Sequence, residues 1–557
     1  MLIGYREGLT KDVQQVFSDS GLSHIMAVSG ANVAFMVFPL IFVFKKLRLR
    51  QTVSNIIIIN ILVIFTFITG FEPSVLRAVI MAIVILIGQI MNRETEVFTS
   101  LAFAAIVLLL YNPGSLFNIG FQLSFAATIS LVLFYNNIKE KINSKYVPEG
   151  IIDVLSGTLA AQLGVLPVTV FYFNKISIIS ILSNLIVVPV VEFITILGSL
   201  MAVLGQVHII FSQLIGFLNN TLLSFVLFAS KITADFPFAV VQVTTPTILV
   251  ILAYYFLLVF FLWYKPKYKV ILNLKHYAGA AGLVFIIILV NLLIPKPIEI
   301  IFVDIGQGDC TFIRTPSGKT VLIDGGGSSA EQEFNVGESV LVPFLLDYGI
   351  NQLDLVIGTH GHDDHIKGLI PVLKDIEVVN FLMPDTQLKD EFKDILEIAD
   401  SKKTKVNLSE NGDVIRLDKD TYFKVLHPDR DNYIEKSALN NNSLVLKLHY
   451  KDVSVLFTAD LEAEGEQLLL DSGIDIAADV IKIGHHGSQY SSVPEFIERV
   501  NPAAAVISVG KNNFGHPSKT VLNLLENKAI RVFRTDLDGA VILRSFGRDI
   551  KFETMIK

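Results

Sequence analysis

The stretch Thr359-His360-Gly361-His362-Asp363-Asp364-His365 fits the pattern H-x-H-x-D-H, which places three imidazoles and a carboxylate within six positions. Apolar residues at Leu353, Leu355, Val356 and Ile357 precede it, so we expect it where a buried strand ends. Imidazole nitrogens suit Zn, Mn or Fe, and a carboxylate can terminate or bridge metal ions. A solvated polar turn is the alternative, but this density of imidazoles favours a rigid metal site.

The chain divides into two halves of different composition. Over its 557 residues it is 52% hydrophobic and 17% charged, well below the ~25% charged residues of ordinary soluble domains. The long apolar stretches precede residue 296, and acidic residues predominate in 296–557. The single cysteine, Cys310, excludes an intramolecular disulfide and a cysteine-based metal site. We therefore predict a membrane domain, residues 1–295, followed by a soluble domain, residues 296–557.

About ten segments of the first half approach the ~20 residues that a helix needs to cross a bilayer. They lie near 22–44, 52–70, 74–91, 97–111, 116–135, 151–172, 177–205, 208–230, 246–264 and 277–294. The fourth is short, and the seventh is long enough to be tilted, kinked or split. The first 20 residues are mixed and polar, so we predict no cleavable signal peptide.

Basic residues alternate along the membrane half. They cluster after the first, third, fifth and ninth predicted spans, at 45–50, at Arg93, at 139–145 and at 265–275, whereas the intervening connections are poor in Lys and Arg. By the positive-inside rule these clusters are cytoplasmic. Ten spans then place residue 296 and the soluble domain outside the cytoplasm.

Several polar residues lie within or beside the predicted spans. They are His24, Ser29, Asn32, Arg77, Gln122, Gln162 and Asn184. Polar groups at membrane depth usually face a bundle interior or a wet path, although any one of them could simply hold two helices together. As a set they favour a polar conduit.

The soluble half alternates strands, glycine turns and helices. Strands are expected at 298–304, 310–314, 320–323 and 453–457, and helices near 338–347 and 365–374. This order predicts a layered α/β domain.

Further candidate ligands follow predicted strands of this domain. Asp324 could position the metal loop, and Asp460 could bridge two ions, although either could be a turn residue. One of His485 and His486 is a candidate ligand, and His516 is a candidate substrate or catalytic group.

Four motifs of the membrane half, at 21–33, 73–78, 120–128 and 184–189, closely resemble those of ComEC-type competence proteins, the DNA-uptake channels of bacterial natural transformation. The resemblance implies a multi-pass protein of the cytoplasmic membrane that works on DNA with other competence-machinery proteins. The additional N-terminal spans and OB-like domain that such proteins usually carry have no counterpart in these 557 residues. A split or truncated family member is therefore one expectation.

The soluble half resembles the metallo-β-lactamase superfamily in its Asp324-Gly325-Gly326 turn, its H-x-H-x-D-H stretch and its later Asp and His residues. The resemblance implies an αβ/βα sandwich with two divalent ions, Zn or Mn, at one edge. It implies that His360 and His362 hold the first ion, that Asp364 and His365 help to hold the second and that Asp460 bridges them. We expect His486 to bind the second ion and His485 to face the substrate. The superfamily's usual third histidine of the first ion is absent, because residues 440–442 are all Asn. We expect the first ion to be weakly held or completed by water.

Together these features predict a DNA-import protein whose outer domain hydrolyses the strand that is not transported, with Asp364, His485 and His516 as catalytic groups. The acidic balance of 296–557 is unfavourable for binding a polyanion, since neutralisation of phosphates dominates nucleic-acid affinity. Two alternatives stay open. One is a transport protein with a catalytically idle metal domain, and the other is a membrane-anchored phosphoesterase.

Overall fold

A computed structural model describes residue 4 and residues 8–263, 295–327, 335–386 and 389–556. The chain forms two compact units, Met1–Lys265 and Pro266–Lys557. The tenth predicted span, near 277–294, lies outside the described residues. The domain boundary at 295/296 therefore stays a prediction.

The first unit is helical. Its helices are α1 (Lys11–Asp19), α2 (Ser23–Met26), α3 (Gly30–Lys46), α4 (Gln51–Ile68), α5 (Pro73–Ile90), α6 (Val97–Tyr111), α7 (Ile119–Ile142), α8 (Glu149–Phe173), α9 (Ser180–Leu204), α10 (Ile209–Ala234) and α11 (Ile248–Trp263). Two short strands, β1 (Lys175–Ser177) and β2 (Val240–Gln242), pair antiparallel.

Six of these helices, α4, α5 and α7 to α10, are long and apolar enough to cross a membrane, and α6 is a shorter apolar helix. Large apolar side chains such as Phe67, Leu110 and Phe193 are exposed on them, as expected of a surface that faces lipid rather than water. The predicted multi-pass membrane half is therefore confirmed.

Two of the predicted spans differ in detail from the helices. The first was expected from residue 22, but α3 begins at Gly30, because the backbone is extended at Ala27 and at Ser29 and thereby separates α2 from α3. The seventh is one continuous helix, α9, with Pro189 inside it rather than at a break.

The second unit has two sheets and short helices. Its strands are β3 (Ile298–Phe302), β4 (Thr311–Arg314), β5 (Thr320–Ile323), β6 (Gln352–Ile357), β7 (Glu377–Pro384), β8 (Lys405–Ser409), β9 (Val414–Arg416), β10 (Thr421–His427), β11 (Val445–Tyr450), β12 (Val453–Phe457), β13 (Val480–Lys482), β14 (Ala504–Ile507), β15 (Arg531–Arg534), β16 (Val541–Ser545) and β17 (Ile550–Thr554). Its helices are α12 (Val342–Asp347), α13 (Asp363–Ile366), α14 (Leu369–Asp375), α15 (Lys393–Lys402), α16 (Ala438–Asn441), α17 (Ala463–Asp471), α18 (Pro494–Val500), α19 (Lys519–Asn527) and α20 (Thr535–Asp538).

The strands form an eight-stranded sheet in the order β17-β16-β3-β4-β5-β6-β7-β8 and a seven-stranded sheet in the order β15-β14-β13-β12-β11-β10-β9. One apolar core lies between the sheets and includes Phe302, Phe423 and Phe457. Two further cores join the outer faces of the sheets to α12, α14 and α15 on one side and to α17, α18 and α19 on the other. The domain is the predicted four-layer αβ/βα sandwich.

Alternation along the strands explains these layers. In β5, Val321 and Ile323 belong to the central core, whereas Leu322 belongs to an outer one, because successive side chains of a strand point to opposite faces. Strands β5 to β8 are parallel, as are β12 to β15. The H-x-H-x-D-H stretch follows β6, and Asp460 and His486 follow β12 and β13, so chain segments from both sheets supply the site.

Candidate functional site

Asp324 fixes the loop that carries the histidines. It follows β5 with a left-handed φ of 56°. Its carboxylate accepts hydrogen bonds from the backbone nitrogen of Thr359 at 2.8 Å and from the Thr359 hydroxyl at 2.7 Å. His365 Nδ1 lies 2.9 Å from the same carboxylate, which can only accept, so Nδ1 donates and Nε2 faces the site. This contact agrees with the predicted positioning role of Asp324.

Four donor side chains converge where strands of the two sheets end. His365 Nε2 lies 3.3 Å from Asp460 Oδ1, and His486 Nε2 lies 3.2 Å from Asp364 Oδ2 and 3.7 Å from Asp460 Oδ2. His486 Nδ1 donates to the backbone oxygen of Ser508 at 2.9 Å, which turns its Nε2 toward the carboxylates. Asp364, His365 and His486 form one candidate ligand group, and His360, His365 and Asp460 form another.

These donors fit a divalent cation. His365 Nε2 and Asp460 Oδ1 are buried and make no hydrogen bond, an arrangement that costs free energy unless a ligand satisfies both atoms. Although burial opposes it, the carboxylates of Asp460 and Asp324 raise the pKa of His365 well above its usual range. Despite burial, His365 and His486 lower the pKa of Asp460 well below its usual range. A bound cation would take the place of the proton on His365 Nε2 and would keep the Asp460 carboxylate paired with a positive charge.

His360 and His362 lie beside this group. His360 Nε2 is 3.1 Å from His362 Nδ1 and 3.9 Å from Asp460 Oδ2. The Thr359 hydroxyl gives its proton to Asp324, so it accepts from His360 Nδ1 at 3.1 Å and leaves the lone pair on Nε2. Burial lowers the pKa of His360 well below its usual value. Within the described part of the chain, His362 does not join any compact group of three donors.

His485 and His516 occupy the outer side of the site. The His485 ring stacks on that of His516 with centroids 5.5 Å apart. His485 Nε2 lies 4.0 Å from Asp460 Oδ2, and its Nδ1 lies 3.4 Å from Glu462 Oε1. His485 is half-buried whereas His486 is buried, and only His486 belongs to a ligand group among the described residues. The division of roles between the paired histidines stays a prediction.

The three asparagines at the position of the absent histidine are engaged in the fold. Asn440 donates to Glu462 Oε1 at 2.8 Å. Asn441 bonds the backbone of Lys436, and Asn442 bonds the backbone of Ile434. The Asn440 oxygen is buried without a hydrogen bond. An amide therefore stands beside Glu462 in the region where an imidazole was expected.

In the membrane unit, three of the sequence motifs meet at Arg77. The guanidinium is buried on α5 and bonds the hydroxyl of Thr128 on α7. A Cβ added at Gly30, the first residue of α3, would lie 2.9 Å from Arg77 Nη2. Ser74 donates to the backbone oxygen of Val28 at 2.6 Å. Small residues therefore let three helices approach one buried cation.

A second polar cluster surrounds the start of α9. Gln162 bonds the hydroxyl of Ser180, and Asn184 donates to the Ser180 backbone oxygen at 2.8 Å. Gly21 has a left-handed φ of 74°, and a Cβ there would lie 2.3 Å from the Cβ of Ser180. The cluster therefore brings together Gln162, Asn184 and the motif at 21–33.

The remaining predicted conduit residues make local contacts. Gln122 donates to the backbone oxygen of Leu116 at 2.9 Å, and Ser29 donates to Asn32 at 3.2 Å. His24 is exposed on α2. These two contacts and the exposure of His24 do not distinguish a conduit from simple helix packing.

The two units each match a protein-family model. Residues 1–268 match the model described as "Competence protein", and residues 303–511 match that of the "Metallo-beta-lactamase superfamily". The ComE operon protein 3 of Bacillus subtilis (strain 168) is 33% identical over 559 residues, which cover 98% of this chain and 70% of that protein. The chain belongs to the ComEC-type competence proteins.

Two further relatives match nearly the whole chain. Recombination protein 2 of Haemophilus influenzae (strain ATCC 51907 / DSM 11121 / KW20 / Rd) is 24% identical over 589 residues, which cover 98% of this chain and 71% of that protein. Competence protein ComA of Neisseria gonorrhoeae is 24% identical over 560 residues, which cover 97% of this chain and 73% of that protein. The predicted family and the predicted fold class are confirmed.

This ComEC-type site contains a buried ion pair that we did not predict. Lys482, at the end of β13, bonds Asp309 Oδ2, and Asp309 Oδ1 lies 3.5 Å from His486 Nδ1. Asp309 Oδ2 lies 3.9 Å from His365 Nδ1. The available signal was a single charged residue in each of two otherwise uncharged stretches, at 305–313 and 480–484. The ion pair therefore lies next to the Nδ1 atoms of His365 and His486, two of the candidate ligands.

Proposed function

We propose that this protein imports DNA across the cytoplasmic membrane during natural transformation, and that its second domain hydrolyses phosphodiesters of the strand that is not imported. The observation that supports this proposal best is the convergence of Asp364, His365, Asp460 and His486 in a chain that also carries a competence-type membrane unit. DNA, the lipid bilayer and other competence proteins are the proposed partners.

The proposed metal centre uses donors from both sheets. Asp364, His365 and His486 would hold one ion, His360 and His362 the other, and Asp460 would contact both. Bound there, two divalent ions such as Zn or Mn supply Lewis acidity for phosphodiester hydrolysis. Burial of His360, His365, Asp460 and His486 excludes water from the side of the site that faces the core.

The outer histidines are the proposed proton donors. His485 and His516 stack against each other, and His516 is half-buried. Burial lowers the pKa of His516 below its usual value, so its neutral imidazole can donate a hydrogen bond without carrying a charge. A neutral ring would hold a phosphate oxygen, whereas a ring that has first taken up a proton from solvent could protonate the leaving oxygen. Asp364, hydrogen-bonded to His486, completes the proposed catalytic set.

We propose that the metal domain lies outside the cytoplasm. The basic clusters at 45–50, Arg93 and 139–145 coincide with the ends of α3, α5 and α7. With ten spans, this alternation favours an extracytoplasmic second domain. In the membrane unit, the clusters around Arg77 and Ser180 are the proposed polar wall of a conduit for one strand.

Purified full-length protein tests the hydrolase. We expect cleavage of DNA that depends on added Mn²⁺ or Zn²⁺ and that falls by at least about a hundredfold in His360→Ala and in Asp460→Ala. His449→Ala is the matched control, because this half-buried imidazole stacks on Tyr422 and belongs to no candidate ligand group in the described residues. If both site variants cleave DNA as the wild type does, the nuclease proposal is wrong.

Transformation assays test the conduit separately. We expect Arg77→Ala and Asn184→Ala to reduce DNA uptake. Thr66→Ala serves as a control because, among the residues that the structure describes, the Thr66 hydroxyl bonds only to the backbone of Leu62 within its own helix. Normal uptake in both variants would count against the conduit.

One observation favours a second candidate. The asparagines at 440–442 replace an expected ligand, which suits a transport protein whose metal domain is catalytically idle. Uptake that persists in Asp460→Ala, together with a lack of cleavage by the wild type, would select this function. A membrane-anchored phosphoesterase would instead cleave small phosphate esters and leave uptake unaffected.

A further inference from the structure

A series of rings leads from solvent to the candidate metal centre. Phe514 is 77% exposed, and its ring centroid lies 5.9 Å from that of His516. His516 in turn lies 5.5 Å from His485 and 6.5 Å from His486. We call Phe514, His516 and His485 the ring ladder. It connects the surface to a histidine that faces Asp364 and Asp460.

The loop that presents Phe514 is held in one shape. The Asn512 side chain donates to the backbone oxygens of Gly510 and His516, both at 2.9 Å, and accepts from the backbone nitrogens of Phe514 and His516, both at 3.1 Å. Gly515 has a left-handed φ of 81°, which suits glycine. The exposed ring is therefore projected by four hydrogen bonds and a glycine turn.

One nitrogen of the ladder lacks a partner within the described structure. His516 Nδ1 is buried and makes no hydrogen bond, whereas His485 Nδ1 lies 3.4 Å from Glu462 Oε1. A polar group in the position of His516 Nδ1 costs free energy unless a ligand satisfies it. The ladder thus offers an apolar face at its outer end and an unsatisfied ring nitrogen nearer the metal site, which matches a nucleotide with its base outside and its phosphate inside.

We propose that Phe514 stacks on an unpaired nucleobase of the DNA strand whose phosphate enters the metal centre. The inference rests on the proposed hydrolase function and names its substrate as single-stranded rather than duplex DNA. A base within a duplex has both faces covered by its neighbours, whereas an unpaired base can place one face on an aromatic side chain.

The charge of the domain supports stacking over phosphate binding. Acidic residues outnumber basic ones in 296–557, and proteins that hold DNA through its phosphates need Lys and Arg to neutralise them. Stacking on an aromatic ring needs no net positive charge. Stacking therefore gives an acidic domain a contact with DNA that does not depend on neutralising phosphates.

Binding by full-length protein in the Asp460→Ala background tests the proposal without requiring cleavage. The probes are a labelled oligothymidylate and an abasic oligonucleotide of the same length and charge, measured by fluorescence anisotropy. We expect Phe514→Ala to weaken oligothymidylate binding by roughly tenfold or more and to leave abasic binding unchanged. Phe514→Trp should retain the affinity. Phe546→Ala is the matched control, because Phe546 is 62% exposed in the turn between β16 and β17.

Equal loss for both probes would indicate a general disruption of the loop and would overturn the stacking role. Unchanged oligothymidylate binding in Phe514→Ala would overturn it as well. Cleavage by the otherwise unmodified enzyme separates the two proposals. If DNA is cleaved with the same KM in Phe514→Ala as in wild type, the hydrolase stands and the stacking site fails. If no DNA is cleaved but Phe514→Ala still weakens binding of the oligothymidylate and not of the abasic probe, the stacking site stands and the hydrolase fails.

Discussion

Lys482→Met should destabilise the second domain, because it removes one partner of a buried ion pair. Lys482 and Asp309 are 3% and 4% exposed. Lys482 ends β13 of the seven-stranded sheet, and Asp309 precedes β4 of the eight-stranded sheet. The ammonium also lies 3.4 Å from the backbone oxygen of Ala459, next to Asp460. The pair therefore ties the two sheets together beside the donors that each sheet supplies.

The expected loss follows from the charge left behind. Removing one partner of a buried ion pair typically costs about 3–5 kcal/mol, whereas replacing both can be neutral. Burial lowers the pKa of Lys482 to about 7, so near neutral pH the charged form of Lys482 depends on the Asp309 carboxylate that it bonds. For a domain of this size the loss corresponds to a melting temperature lower by roughly 6–20 °C. The double variant Asp309→Asn/Lys482→Met should recover much of it.

Thermal unfolding of the detergent-solubilised full-length protein measures this effect, with metal content determined in parallel. Lys447→Met is the control, because the side chain of Lys447 is equally buried at 4% exposed but its partner Asp475 is 74% exposed and can be solvated alone. We expect Lys447→Met to lower the free energy of unfolding by about 1 kcal/mol or less through the loss of its ion pair. Equal melting temperatures for Lys482→Met and Lys447→Met, or a double variant as unstable as the single one, would refute the reasoning.

Three further outcomes follow from individual contacts. Asp324→Asn should weaken metal affinity by roughly 10- to 100-fold, since an amide nitrogen in place of Oδ2 cannot accept from His365 Nδ1; competition with a chelator measures it, and unchanged affinity would contradict the positioning role. Gly30→Ala should lower the yield of folded protein and DNA uptake, because overpacking against Arg77 costs about 1–3 kcal/mol; size-exclusion profiles and transformation frequencies check this, and wild-type values for both would show that the helices can separate freely. Burial raises the pKa of Glu466 from 4.5 to about 7 although its oxygens accept from the backbone nitrogens of Ser492 and Val493. Its folded form holds the proton more tightly than the unfolded chain, so stability should fall by about 3 kcal/mol as the pH rises from about 4.5 to about 7; melting curves of wild type and Glu466→Gln should diverge over this range, and parallel curves would contradict the assignment.

The strands and the metal loop could be predicted from the sequence because their signals lie within short stretches of the chain. Apolar runs before Asp324, His360 and Asp460 marked the strand ends, and those residues follow β5, β6 and β12 in the structure. Hydropathy likewise identified the long helices. It could not place the start of α3, since the break depends on the extended backbone at Ala27 and Ser29 rather than on polarity.

Contacts between residues that are far apart in the chain could not be predicted from the spacing of residue types. Lys482 and Asp309 are separated by 173 positions, so no periodic pattern could join them. The same applies to Arg77, Gly30 and Thr128, which belong to three motifs whose meeting point depends on how α3, α5 and α7 pack. In each case the sequence supplied the residue types, and tertiary packing decided which of them are neighbours.

The asparagine in the region of the absent third histidine also affects the surroundings of His485. Asn440 stands in the expected region and donates to Glu462 Oε1 at 2.8 Å, and the same oxygen lies 3.4 Å from His485 Nδ1. A carboxylate near this nitrogen favours a proton on Nδ1 and leaves the lone pair of His485 on Nε2, which faces Asp460. The asparagine therefore donates to the same carboxylate oxygen that lies beside the outer histidine. The replacement that we expect to weaken one side of the metal centre thus also contacts the carboxylate beside the histidine proposed to meet the substrate.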